Sequence, residues 1–243
     1  MQKKITVLLV DDHNIVRQGL RMLLVSEGDV EIVGEAETGR QAVLMTKKLL
    51  PEVVVMDIAM PLMNGLEATR QIMRQVPATK VLILSTYSDD EYVEQLIAAG
   101  AAGYLVKQTA AKDLLKAIRE AHKGKAFLSP LIAKRVSDRE REAFANGQSA
   151  KPQMEVLTPR QAEVLQLVAE GQANKQIAGE LGISIKTVEK HRQQVMDRLN
   201  IHDVAGLTRY ALTRGVIEGN PETDPRQNLQ GPSHPPLSKP ETI

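Results

Sequence analysis

The stretch ITVLLVDD, residues 5–12, decides the fold of the first half of the chain. A run of apolar and β-branched residues that ends in two aspartates is typical of a strand buried on both faces. Four similar short runs follow at residues 30–35, 53–56, 80–84 and 102–106, and stretches with helical spacing separate them. Strict alternation of strands and helices predicts a doubly wound, five-stranded parallel sheet with helices on both faces, an α/β fold.

The helical stretches are marked by apolar spacing and by glycines after their ends. In the first stretch, Ile15, Leu20, Leu23 and Leu24 are expected to form the apolar face of a helix that ends before Gly28. From residue 154 to 217 no run resembles a strand, and short helical patterns are broken by glycine or asparagine. This part predicts a second, smaller all-α domain.

The overall composition excludes several classes of protein. The 243 residues carry 31 Lys and Arg against 30 Asp and Glu, which excludes a polycation and an acidic solvating protein. The absence of cysteine excludes disulfides, thiolate metal sites and cysteine nucleophiles, and it fits a reducing compartment. No apolar run approaches the ~20 residues that cross a bilayer, so we expect a cytoplasmic protein with no membrane partner.

Composition also divides the chain into four segments. We expect a sheet domain at residues 1–124, a linker at 125–153 that is partly helical, and the helical domain at 154–217. The last segment, 218–243, holds six prolines and few large apolar side chains, so we predict a disordered tail.

Carboxylates follow two of the predicted strands. Asp11 and Asp12 end the first strand and Asp57 ends the third. If these strands are neighbours, three carboxylates meet at one edge of the sheet, where their repulsion requires a divalent cation or protons. Oxygen ligands favour Mg²⁺, with Mn²⁺ as an alternative. A single strand-end aspartate could simply cap a helix, but three together favour a functional site.

Two more strand ends place donors at the same edge. Ser85 follows the fourth strand and Lys107 follows the fifth. An ammonium and a hydroxyl are the groups that would bind the oxygens of a phosphoryl group. With a cation beside it, Asp57 could then act as a nucleophile toward a phosphoryl donor.

These motifs resemble the receiver domain of two-component response regulators over residues 4–124. The residues that carry the resemblance are Asp11-Asp12-His13, Asp57-Ile-Ala-Met60-Pro61, Asn64-Gly65, Leu84-Ser85 and Gly103-Tyr104-Leu-Val-Lys107. The resemblance implies a flavodoxin-like fold, with Asp57 as the phosphoacceptor and Ser85 and Tyr104 as a switch pair. It also implies that Asp12, Asp57 and the Ala59 carbonyl hold Mg²⁺, with Asp11 acting through a metal-bound water.

The second domain contains residues that typically start and end the helices of a helix-turn-helix. Thr158 can cap one helix with Pro159 in its first turn, and Asn174 can cap the next. Gly182 and Ser184 bound the short break before a third helix that runs to about Leu199.

On a helical wheel the third helix has one apolar side and one polar side. Val188, Arg192, Val195 and Leu199 fall on the first, and Lys186, Lys190, Gln193 and Asp197 on the second. Lys can reach guanine acceptors or phosphates, and Gln can bond adenine in a major groove. A solvated charged face is the alternative, but the preceding turn favours DNA binding.

This region resembles the LuxR-type domain of the NarL/FixJ response regulators over about residues 155–217. The matching residues include Leu157-Thr-Pro-Arg160, Asn174-Lys175-Gln176-Ile177-Ala178, Lys186-Thr187-Val188, His191 and Leu199-Asn200. The resemblance implies DNA contacts from the third helix, for which the candidates are Lys186, Thr187, Lys190, Arg192, Gln193 and Gln194. It also implies a dimerisation helix containing Val204, Leu207 and Ala211.

The sequence therefore predicts a transcription regulator, not an enzyme. A sensor histidine kinase would phosphorylate Asp57, and the phosphorylated form would bind double-stranded DNA as a homodimer. Two alternatives stay open at this point, a Mg²⁺-dependent phosphatase or phosphotransferase and a regulator that works without phosphate.

Overall fold

The structure, a computed structural model, describes residues 3–85, 90–130, 132–134 and 157–217. The predicted tail and most of the predicted linker lie outside the described residues. We call residues 3–134 the sheet region and residues 157–217 the helical region.

The sheet region alternates strands and helices as expected. Its elements are β1 (Ile5–Val10), α1 (Asn14–Val25), β2 (Val30–Ala36), α2 (Gly39–Leu49), β3 (Val53–Asp57), α3 (Gly65–Gln75), β4 (Lys80–Ser85), α4 (Asp90–Ala98), β5 (Gly103–Val106), α5 (Ala110–His122) and β6 (Phe127–Leu128). The helical region holds α6 (Pro159–Ala169), α7 (Asn174–Leu181), α8 (Ile185–Leu199) and α9 (Val204–Thr213). None of the described helices has both the length and the apolar composition that crossing a bilayer requires.

The strands form one parallel sheet in the order β2-β1-β3-β4-β5-β6. The order reverses at β1, so β1 and β3 are direct neighbours, with Val10 opposite Met56. The aspartates that follow these two strands therefore lie at the same edge, as the sequence predicts.

The sheet has six strands, one more than expected. The sixth, β6, lies in the segment predicted as linker and pairs with Gly103 and Tyr104 of β5. A strand of two residues is too short to show the period that identifies a strand.

Side chains that alternate along the strands fill two cores, one on each face of the sheet. One core joins Leu8, Met56, Ile83 and Tyr104 to α2, α3 and α4. The other joins residues such as Leu9, Val55 and Leu105 to α1 and α5. Burial on both faces explains why the strands are continuous apolar runs.

Helix α1 departs from the predicted apolar face. Ile15 is 86% exposed, whereas Arg17 is buried with only 5% exposure. Arg17 stands three residues before Leu20 and seven before Leu24, so it shares the side of the helix that packs on the sheet. The predicted apolar face is therefore confirmed at Leu20, Leu23 and Leu24 and is wrong at Ile15.

The helical region confirms two of the three predicted caps. Thr158 accepts from the Gln161 amide, and Ser184 accepts from the Thr187 amide. The prediction for Asn174 is wrong, because Ala173 is the N-cap of α7 and its amide donates to the Gln176 side chain. On α8, the predicted apolar and polar sides are confirmed by buried Val188 and Val195 and by exposed polar residues opposite them.

Gly65 is required where the chain leaves the sheet edge, and this gives a stability prediction. A Cβ at Gly65 would collide with the Asp57 carbonyl oxygen and lie 2.9 Å from Ile58 Cα. Gly65→Ala should therefore lower the free energy of unfolding by ~1–3 kcal/mol, the usual cost of overpacking. Urea unfolding followed by circular dichroism measures this change.

The matched control is Gly19→Ala in the exposed part of α1, where an added Cβ has no atom of the described chain within 4 Å. This variant should gain about 0.5–1 kcal/mol, since alanine favours a helix over glycine. Equal urea midpoints for the two variants would contradict the prediction that a Cβ at Gly65 collides with the Asp57 carbonyl oxygen.

Candidate functional site

Carboxylates from two neighbouring strands meet at one edge of the sheet. Asp11 follows β1 and Asp57 ends β3, and both are almost fully buried. One ligand atom from each of Asp11, Asp12, His13 and Asp57 lies within 4.8 Å of the others. The sequence predicted the three aspartates but not His13, whose Nδ1 is 2.8 Å from Asp12 Oδ1.

Lys107 links the two buried carboxylates. It begins a single 3₁₀ turn after β5, and its Nζ lies 2.8 Å from Asp11 Oδ2 and 3.0 Å from Asp57 Oδ1. Burial raises the pKa of Asp57 to about 7, although the Lys107 charge opposes that rise and the Asp11 charge adds to it. Burial by itself lowers the pKa of Lys107, but the two carboxylates outweigh it and raise that pKa.

The donor set fits a hard divalent cation. Three carboxylates meet, and Asp57 Oδ2 is buried with no hydrogen-bond partner among the described residues. An unpaired buried carboxylate oxygen is costly unless a ligand satisfies it. Oxygen ligands of this kind suit Mg²⁺. The Ala59 backbone, two residues beyond Asp57, belongs to the same nearly buried segment.

The two predicted switch residues occupy different positions. Ser85 ends β4 with 1% exposure, and its Cα pairs with that of Val106, the residue before Lys107. Tyr104 is also 1% exposed, and its side chain belongs to the core that includes Ile83 and Met56. Ser85 therefore lies at the sheet edge beside the carboxylates, while Tyr104 lies inside the core on the same strand as Lys107.

Helix α6 of the helical region binds the loop that follows Asp57. The Gln166 side chain accepts from the Asn64 amide at 2.9 Å and donates to the Met60 carbonyl at 2.8 Å. Glu170 accepts from the Leu62 amide at 3.1 Å. Three backbone groups of residues 60–64 are thus paired with side chains about a hundred positions away.

Further polar contacts surround this interface. Gln71 of α3 donates to Glu163 at 3.1 Å, and Arg40 of α2 binds both the carboxylate and the main-chain carbonyl of Glu180. Burial raises the pKa of Glu170. This interface is not among the features predicted from the sequence. A signal is present, because Glu163, Gln166 and the C-cap residue Glu170 recur at helical spacing on one side of α6.

The predicted DNA-contact residues on α8 fall into two groups. Lys186, Lys190 and Gln193 are exposed, and Thr187 is partly exposed with its Oγ1 2.8 Å from Ser184 Oγ. Arg192 and Gln194 instead make contacts inside the helical region. Arg192 donates to Asn174 Oδ1 at 2.6 Å, and Gln194 accepts from the Gln161 amide group at 3.1 Å.

Comparisons with known families match both regions. The family described as "Response regulator receiver domain" matches residues 7–119, and "Bacterial regulatory proteins, luxR family" matches residues 155–211. The transcriptional regulatory protein LiaR of Bacillus subtilis is 41% identical over 207 residues, which cover 85% of this chain and 96% of LiaR. The response regulator protein VraR of Staphylococcus aureus is 34% identical over 214 residues, covering 88% of this chain and 99% of VraR.

Solved structures agree with these relatives. RcsB from Salmonella enterica serovar Typhimurium, bound to the promoter rprA with a phosphomimetic, is 26% identical with a TM-score of 0.55. That match covers 86% of this chain and 98% of RcsB. The chain combines a sheet of receiver topology with a helix-turn-helix, and its relatives match it across both regions. The chain belongs to the response regulators of the NarL/FixJ type, which join a receiver domain to a LuxR-type DNA-binding domain.

Proposed function

We propose that the chain is a transcription regulator whose DNA binding is controlled by phosphorylation of Asp57 by a sensor histidine kinase. The observation that carries this proposal is the buried Asp57 carboxylate, which lies 3.0 Å from Lys107 and has an unpaired oxygen. It is close enough to Asp11 and Asp12 to share a cation with them. In this proposal the receiver domain spans 1–124, the linker 125–153, the DNA-binding domain 154–217 and the tail 218–243.

Each residue of the cluster has a role in phosphoryl transfer. Asp57 supplies the carboxylate oxygen that forms a bond to phosphorus while the bond from phosphorus to the donor's imidazole nitrogen breaks. Asp11, Asp12, Asp57 and the Ala59 carbonyl would hold Mg²⁺, which offsets the negative charge of the phosphoryl oxygens. Lys107 and Ser85 donate to those oxygens from the other side. An aspartyl phosphate is the product, as expected for a carboxylate nucleophile.

Phosphorylation changes the partners of Lys107. An ammonium that bridges two carboxylates in the structure gains phosphoryl oxygens as a third partner. Ser85 and Tyr104 rearrange with it, as the resemblance implies. The loop of residues 60–64 begins three residues after Asp57 and binds Gln166, so a change at Asp57 alters the contact with α6. Two states are implied, one with α6 bound to this loop and one with α6 released from it. Phosphorylation changes their relative populations only if the phosphoryl group interacts differently with the two states.

The helical region supplies the DNA-binding surface and a dimer surface. The exposed side of α8 presents Lys186, Lys190 and Gln193. On α9, Leu207 and Ala211 are buried in the helical region itself, whereas Val204 and Leu212 are exposed. We propose that this outer face of α9 joins two phosphorylated copies, whose symmetry matches a two-fold DNA site. A regulator of this kind acts in the cytoplasm, where bacterial DNA lies.

Asp57→Asn should abolish Mg²⁺-dependent phosphorylation by a small-molecule phosphodonor, because an amide is not a competent nucleophile. Intact-mass spectrometry should show one added phosphoryl group on the wild-type protein and none on the variant. Asp197→Asn, which changes an exposed aspartate on α8, is the matched control and should be phosphorylated normally. Full incorporation in the Asp57→Asn protein would move the acceptor elsewhere.

Two lysines on α8 should respond differently to substitution. Lys190→Ala should cost ~1–3 kcal/mol on a specific duplex and relax preference at one base position, as loss of a base contact does. Lys186→Ala, near the start of α8, should weaken binding to all duplexes and lower the salt slope by about one, as loss of a phosphate contact does.

Titrations of specific and random duplexes at several salt concentrations separate the two effects. If Lys190→Ala weakens binding to all duplexes equally and Lys186→Ala changes the sequence preference, then Lys190 contacts phosphate and Lys186 contacts a base, the reverse of this prediction. No effect from either substitution would exclude α8 as the DNA-reading helix.

A further inference from the structure

A buried cation lies beside the acidic cluster but outside the set of residues that the proposed function uses. Arg17 of α1 is 5% exposed and packs on the side of the helix that faces the sheet. Arginine is almost never buried this deeply unless its guanidinium is paired. Its partners therefore indicate what the residue does.

The guanidinium joins the ends of two strands. Arg17 Nη1 donates to the main-chain carbonyl oxygen of Asp11 at 2.6 Å, just beyond β1. Arg17 Nη2 donates to Glu37 at 2.6 Å, and Nε lies 3.6 Å from Glu35, at the end of β2. The two glutamates balance the buried charge, while the carbonyl contact fixes the backbone.

That carbonyl belongs to the peptide between Asp11 and Asp12. On the other side of Asp11, its amide donates to the Ala36 carbonyl at 3.2 Å. Hydrogen bonds therefore fix the main chain of Asp11 at both its amide and its carbonyl, and Arg17 supplies the second of these bonds. Because the Asp12 nitrogen belongs to the same peptide plane as this carbonyl, the bond from Arg17 also orients the backbone that carries the Asp12 carboxylate.

We propose that Arg17 is a positioning residue for the metal site, which orients the Asp11–Asp12 peptide so that both carboxylates converge with Asp57. This inference rests on the proposed function, in which these carboxylates hold Mg²⁺. Residues that orient metal ligands without touching the metal typically change metal affinity 10–100-fold when they are replaced. Arg17 contacts the ligand backbone instead of the ligand carboxylates.

The test compares Arg17→Met with Arg21→Met in the full-length protein. Arg21 lies one turn later on α1 and pairs with the same Glu35 at 2.6 Å, but its side chain is half exposed. Within the described residues it forms no hydrogen bond or ion pair with Asp11, so Arg21→Met matches the loss of charge alone. Isothermal titration with Mg²⁺ should show a Kd raised about tenfold or more in Arg17→Met. Arg21→Met should keep the wild-type Kd, and Arg17→Lys should recover part of the loss by donating to the same carbonyl.

A second variant covers the case in which Arg17→Met does not fold. Glu37 is mostly exposed, so Glu37→Gln should fold while weakening the hold on the guanidinium. We expect a smaller increase in its Mg²⁺ Kd, in the same direction. An unchanged Kd in Glu37→Gln, when Arg17→Met is unfolded, would overturn the inference.

The Mg²⁺ dependence of the phosphorylation rate distinguishes a positioning role from a purely structural one, because replacing a purely structural residue would not change it. In Arg17→Met the Mg²⁺ concentration for half-maximal phosphorylation should rise, while the rate at saturating Mg²⁺ should stay close to wild type. A lower urea midpoint with an unchanged Mg²⁺ Kd would overturn the inference and leave the proposed function intact. A wild-type protein that binds no Mg²⁺ would overturn both.

Discussion

The ion pairs of Lys107 with Asp11 and Asp57 are the interaction on which the site depends. Two carboxylates that are nearly fully buried would repel each other and take up protons without a cation between them. Removing one partner of a buried charge cluster is expensive, because the others stay buried and unpaired. The cluster also requires β1, β3 and β5 to end at the same edge, and the parallel sheet provides this.

The same edge connects the site to the helical region. The chain leaves β3 at Asp57, makes a tight loop with Leu62 at a positive φ of 68°, and enters α3 at Gly65. Gln166 of α6 and Glu170, the C-cap residue of α6, pair with the backbone of this loop. A change in charge at Asp57 is therefore separated from the helical region by only a few residues of main chain. The exposed face of α8 points to solvent in this arrangement, so the contact involves α6 and not the proposed DNA-reading surface.

Much of this structure could be predicted from the sequence, because local patterns determine it. Each of the five predicted strands lies within a residue of its observed bounds, since buried parallel strands are continuous apolar runs. The convergence of the aspartates follows from the positions of the strand ends and the parallel topology.

The predictions that are wrong concern side chains whose partner lies far away in the sequence. Asn174 is predicted as a cap but binds Arg192, and Arg17 takes a core position because Glu35 of β2 and Glu37 just after β2 pair with it.

The contact between α6 and residues 60–64 can be measured directly. Hydrogen–deuterium exchange should be followed at the amides of Leu62 and Asn64, whose acceptors are Glu170 and Gln166. With Mg²⁺ and beryllium fluoride, which mimics a phosphoryl group, the account predicts faster exchange at both amides in the wild-type protein and no change in Asp57→Asn. Equal exchange of the wild-type amides with and without beryllium fluoride, at concentrations that saturate Asp57, would contradict the claim that phosphorylation is transmitted through this contact.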